Sequence, residues 1–126
     1  MRQLIDHLVD EVPGVTGALV SSADGFVLAS RLPSRDHIDP SAVAAMSAAT
    51  IGLSNRLVRL TGESPSAVSH QRSTDGQVLV FSVAQVAVLT LLAAADADGL
   101  QLTQVGREVV LGLQRLFHNA NADEAG

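Results

Sequence analysis

Apolar residues recur in two rhythms along this chain, and the switches between them divide it into eight elements. Leu4, Ile5, Leu8, Val9 and Val12 form one stripe at helical spacing, which predicts an amphipathic helix over 3–12 that Pro13-Gly14 stops. "VTGALVSS" (15–22) and "FVLASR" (26–31) read as strands around Ala23-Asp24-Gly25, a hairpin signal because Asp and Gly tolerate positive φ. "LPSRDHI" is a loop. Asp39-Pro40 then starts a second helix, with Asp accepting orphan amide bonds and Pro losing nothing at the first helical position. That helix runs to about Thr61, with Arg56 and Arg59 near its negative end and Gly62 as the stop. A polar strand "SAVSHQRS" (66–73), a "STDG" turn and two apolar strands, 77–84 and 86–93, follow, the last two joined at Ala84-Gln85. Asp98 reads as an N-cap with Gln101 completing a capping box. Leu102, Val105, Val109, Leu113 and Leu116 make the stripe of a third helix, and 119–126 is expected to be a flexible tail. The order α-β-β-α-β-β-β-α is that of one α+β domain over 1–118.

Three features of this order carry further information. The strands at 78–84 and 86–93 are apolar at odd and even positions alike, so both sheet faces need cover. Residues 66–72 expose Ser66, Ser69, His70, Gln71 and Arg72, the look of an edge strand open to pairing with another chain. Helix two carries Ala at 42, 44, 45, 48 and 49, small enough to lie close on a sheet or to admit a second helix. The uncharged run 78–95 has the length of a membrane span, but Gln85 near its middle and its many valines favour two buried strands.

Composition narrows the function. The 126 residues include three Phe and no Trp or Tyr, which removes stacking platforms for single-stranded nucleic acid. A net charge of −5 disfavours a phosphate-backbone binder. Without Cys there are no disulfides, thiolate metal sites or Cys nucleophiles. All eight basic residues are Arg, so a Schiff base or a P-loop lysine is excluded. The eighteen Ala and the Arg-only basic set point to a GC-rich bacterial genome. The first fourteen residues place acids inside their apolar pattern, unlike a signal peptide, so a cytoplasmic location is expected.

Candidate chemistry is sparse. Asp24 and Asp75 are accounted for by turns. "DADG" at 96–99 fails as a calcium loop, because Ala94 falls at the first ligand position and Val105 where the bidentate Glu belongs. His7, His37, His70 and His118 have no metal-ligand spacing. No serine sits in a nucleophile motif and no glycine-rich loop precedes a helix. No catalytic, cofactor or metal residue is assigned, which favours a binding or scaffold protein over an enzyme.

"VPGVTGALVSSADGFVLAS" (12–30) and "ADADGLQLTQVGREV" (95–109) resemble the Roadblock/dynein light chain family, in its bacterial branch. The family's Leu-Gly after the second Asp is loosened here to Leu100-Gln101-Leu102. The resemblance spans about residues 3–118. It implies a five-stranded antiparallel, profilin-like sheet with helix two on one face and helices one and three on the other. It also implies a homodimer in which helix two and the third strand meet their mates, through Ala45, Met46, Ala49, Gly52, Leu53, Arg56, Val68, His70 and Arg72. The partner it implies is a small Ras-like GTPase, in a setting that for bacterial members often includes a sensor kinase, with Arg56, Arg59 and Arg72 as partner-binding cations. The alternatives are an architectural adaptor without GTPase contact and a small-molecule sensor.

Overall fold

The computed structural model describes residues 1–34, 37–63 and 68–125, with side chains to residue 120. Its elements are α1 (Arg2–Glu11), β1 (Val15–Ser22), β2 (Val27–Arg31), α2 (Pro40–Leu60), β3 (Val68–Arg72), β4 (Gln77–Val83), β5 (Ala87–Ala93) and α3 (Gly99–Ala125). The strands form one antiparallel sheet in the order β2-β1-β5-β4-β3. The polar third strand is therefore an edge, as its composition predicts, and Ser66 lies outside the described residues.

Strand pleat sorts the core into two layers. Leu79, Phe81 and Val83 of β4 join Leu89 and Leu91 of β5 against Ile5 and Leu8 of α1 and Leu102, Val109 and Leu113 of α3. The alternate residues Val80 and Val88 meet Ile51 of α2 on the other face. Each such fully buried Leu or Ile contributes roughly 1.5–3 kcal/mol relative to exposure. The α2 layer also holds a buried polar contact, with the Thr90 hydroxyl donating to Ser47 Oγ at 2.8 Å.

Local chemistry fixes the boundaries. Asp39 Oδ1 accepts from the Ser41 N–H at 3.0 Å, with Pro40 opening α2. Asp98 Oδ1 accepts from the Leu100 N–H at 3.0 Å and so caps α3. The 73–76 turn is organised by Ser73 rather than Asp75: its Oγ accepts from the N–H groups of Asp75 and Gly76. Gly25 has φ +89°, and a Cβ there would stand 3.1 Å from the Ala45 Cα, so the β1–β2 turn rests directly on α2. Between β4 and β5 the apolar run 78–95 turns at Ala84 (φ 50°) and Gln85 (φ 62°), two non-glycine residues in the left-handed region.

Helix three departs from expectation twice. It continues through Ala125, where the sequence suggests a tail after residue 118. No Gly or Pro falls between 113 and 125, so nothing local stops it. Its buried stripe also leaves Leu116, 40% exposed, and takes up Phe117 instead. Gly106 lies on that stripe because the Phe81 ring occupies the space a Cβ would need. Among the described residues no helix is long and apolar enough to cross a membrane.

Candidate interaction surface

Helix α2 buries Ala44, Ser47 and Ile51 and turns a crest of large apolar residues outward. Met46 is 69% exposed, Leu53 67%, Leu57 62% and Leu60 84%. Between them lie exposed Ala45, Ala49 and Gly52, so the first half of the crest is low and the second half high. A Cβ on Gly52 would meet nothing within 4 Å. Intramolecular packing therefore gives no reason for glycine here, although it costs a helix about 1 kcal/mol relative to Ala. Arg56 and Arg59 are exposed beside the crest.

Register places the expected β3 residues elsewhere. Val68, His70 and Arg72 pair with Phe81, Leu79 and Gln77, so they share the face that carries α1 and α3. The set expected at one interface is thus divided. Ala45, Met46, Ala49, Gly52, Leu53 and Arg56 lie together on α2, while Val68, His70 and Arg72 lie on the far side of the sheet. Arg72 is likewise separated from Arg56 and Arg59. The β3 residues on the α2 face are Ser69 and Gln71.

His70 and Arg72 are held by a residue the sequence does not flag. Gln77 is only 2% exposed, and its Oε1 lies 2.7 Å from His70 Nε2 and accepts from Arg72 Nε at 3.3 Å. Its Nε2 donates to the carbonyls of Ala94, Ala97 and, at 3.4 Å, Ala95. One buried amide thereby ties the sheet edge to the loop before α3. The Arg72 guanidinium reaches the α3 start beside Gly99.

Elsewhere, Arg31 pairs with Asp10 at 2.7 Å and Asp6 at 3.4 Å, pinning α1 to β2. Its hydrogen bond holds the Asp10 carboxyl below its ordinary range, and Asp10 in turn raises Arg31. The Ala23 N–H donates to Val86 O at 3.0 Å, joining two hairpin tips that expose Phe26 (71%), Leu28 (47%) and Val86 (51%). Two clefts open on the surface, the smaller of them against α2. One of about 430 Å³ lies between Pro33, Ile38, Val78 and Leu92, and one of about 180 Å³ lies beside Asn55 and Gln85. Among the described residues no three His, Asp or Glu side chains cluster as a metal site.

A five-stranded antiparallel sheet with one helix on one face and two on the other defines a profilin-like α+β domain. The Roadblock/LC7 domain model matches residues 1–93, and the chain belongs to that family. Among solved structures it is similar to Myxococcus xanthus MglB, with TM-score 0.84 and 14% identity over 94% of each chain. It is also similar to a Roadblock/LC7 domain from Streptomyces avermitilis, with TM-score 0.83 and 20% identity over 94% of this chain and 98% of that one. Acanthamoeba castellanii profilin IA follows the same plan, with TM-score 0.64 and 13% identity over 91% and 97%. At these identities the likeness is one of fold. No curated protein matches the chain in sequence.

Proposed function

We propose that this chain is a non-enzymatic homodimeric regulator or scaffold that binds a small Ras-like GTPase in a bacterial, cytoplasmic signalling complex. The observation that carries the dimer is the α2 crest, where Met46, Leu53, Leu57 and Leu60 stand exposed beside small residues. Exposed apolar groups grouped in this way mark an association surface. Two copies meeting there join their α2 helices, and the β3 edges pair backbone to backbone. Ser69 and Gln71 flank the seam on the α2 side, while His70 and Arg72 flank it on the other. The GTPase partner rests on family membership, with Arg56 and Arg59 as its nearest cationic contacts.

Light scattering on the purified protein tests the first part: a dimer is expected, and a persistent monomer at micromolar concentration rejects it. Binding to a Ras-like GTPase encoded beside this gene is expected to depend on the bound nucleotide. If the dimer stimulates hydrolysis through an arginine, Arg→Ala at 56, 59 or 72 lowers turnover by about 10³-fold or more. Unchanged turnover in the triple variant leaves a scaffold. The 430 Å³ cleft favours a second reading, a small-molecule sensor, which a ligand-induced rise in melting temperature across a metabolite panel would support.

A further inference from the structure

The hydrogen bonds of the 73–76 turn fix which way the β3 backbone points. The Ser73 N–H donates to Gly76 O at 2.9 Å, so Ser73 faces β4 and the Arg72–Gln77 pair beside it is a non-hydrogen-bonded one. Orientation alternates along a strand, and β3 pairs with β4 in unbroken register, so Ser69 and Gln71 direct their backbone groups to β4. Val68, His70 and Arg72 turn their N–H and C=O groups outward, and among the described residues nothing in the chain bonds to them. The edge thus offers three residues spaced evenly about His70. The His70 imidazole is drawn away from that edge, with Nε2 2.7 Å from Gln77 Oε1 and Cε1 beside Gly99.

We infer that β3 pairs antiparallel with β3 of a second copy in one register, with His70 on the two-fold axis opposite its own counterpart; the inference rests on the dimer proposed above. At that centre each outward residue meets an outward residue, Val68 opposite Arg72 and His70 opposite His70. Centred on Ser69, the pairing leaves Arg72 of each copy unbonded. Centred on Gln71, it leaves Val68 unbonded and sets Arg72 against His70, two bases face to face. The His70 centre instead lays the Arg72 stem against Val68 and sets Ser69 opposite Gln71, hydroxyl against carboxamide. A second copy is the occupant, rather than a foreign strand, because the same axis also covers the α2 crest. An antiparallel seam has its two-fold perpendicular to the sheet, so both α2 helices, which pack against β3, stay on one face beside the seam. A parallel seam puts them on opposite faces and leaves Met46, Leu53 and Leu57 in water.

The chain has no Cys, so single cysteines report the axis without background. Hydrogen-bonded antiparallel pairs hold their Cα atoms about 5.5 Å apart, within disulfide range, whereas diagonal neighbours at about 7–8 Å fall outside it. Under mild oxidation the His70→Cys chain, its fold checked by circular dichroism, is expected to give a covalent dimer at least about tenfold faster than Ser69→Cys or Gln71→Cys. Because His70→Cys also gives up the bond to Gln77, a mixture supplies an independent arm. Ser69→Cys and Gln71→Cys chains, combined and allowed to exchange subunits, are expected to form a heterodimeric disulfide, identified by mass, that neither forms alone. Faster self-crosslinking at 69 or 71 than at a folded His70→Cys, equal rates at all three, or a mixture without heterodimer overturns the register. A chain that scatters as a dimer but crosslinks at none of the three overturns it as well. A monomer in light scattering rejects the dimer itself, and the register falls with it.

Discussion

Replacing Gln77 by Leu removes the acceptor shared by His70 and Arg72 and the donor that reaches the carbonyls of Ala94, Ala95 and Ala97. A fully buried carbonyl left without a donor costs about 1–3 kcal/mol, and here Ala94 and Ala97 are half-buried and Ala95 exposed, so a loss of roughly 1–2 kcal/mol is expected in urea unfolding. Wild-type stability would mean that water satisfies the 94–97 loop. Gln77 was not legible beforehand, because its carbonyl partners lie 17–20 residues onward and only the fold brings them close. The Asp10–Arg31 pair was equally hidden, joining a helix to a strand tip across a turn. Its pH dependence has a definite sign. Asp10 is lowered in the folded protein, so its contribution is present above the ordinary aspartate pKa and is lost as pH falls through the folded value. Carboxyl-detected NMR should place Asp10 below ordinary aspartate, and Arg31→Gln should return it to the ordinary range.

At the scale of elements, signals that act within a few residues were readable. Asp39-Pro40 capped α2 as its chemistry dictates, and Asp39→Ala should cost about 1 kcal/mol. The facing of β3 was not readable. The strand is polar on both sides, and period-two alternation needs a buried face before it can fix orientation. Only the pairing of His70 with Leu79 sends His70 toward α3. Helix two was half legible. Its small residues are conspicuous in the sequence, whereas nothing local separates Leu57 and Leu60 from core leucines, and both stand exposed on the crest with Met46 and Leu53. Gly52 separates the two uses of this helix. Gly52→Ala meets no atom of its own chain and should stabilise the isolated domain by up to about 1 kcal/mol. If a second helix passes close to Gly52, the same change weakens the dimer. Thermal melts at low and high protein concentration distinguish these effects: stabilisation when dilute and a smaller gain, or a loss, when concentrated.

At the scale of the molecule, the topology leaves two edges with different characters. β1, β5 and β4 are interior, so the long apolar strands are closed to other chains. The β2 edge is tied down at its end, where Arg2 donates to Ser30 O at 2.8 Å. The β3 edge has no such cover among the described residues, and it lies beside the helix that carries the exposed crest. That strand order was not legible in the sequence: β1 pairs with β5 across most of the chain, and the hairpin signals reveal only consecutive partners. One substitution tests the resulting picture of assembly. Leu57 is 62% exposed, so Leu57→Asp removes no core contact and should change monomer stability by less than about 0.5 kcal/mol. In a dimer joined at the crest, the same change buries a carboxylate against apolar residues, a cost of several kcal/mol. The variant is therefore expected to run as a folded monomer in light scattering with an unaltered circular-dichroism spectrum. If it remains dimeric, the seam lies elsewhere on the surface, and the exposed hairpin tips at Phe26 and Val86 are the next place to substitute.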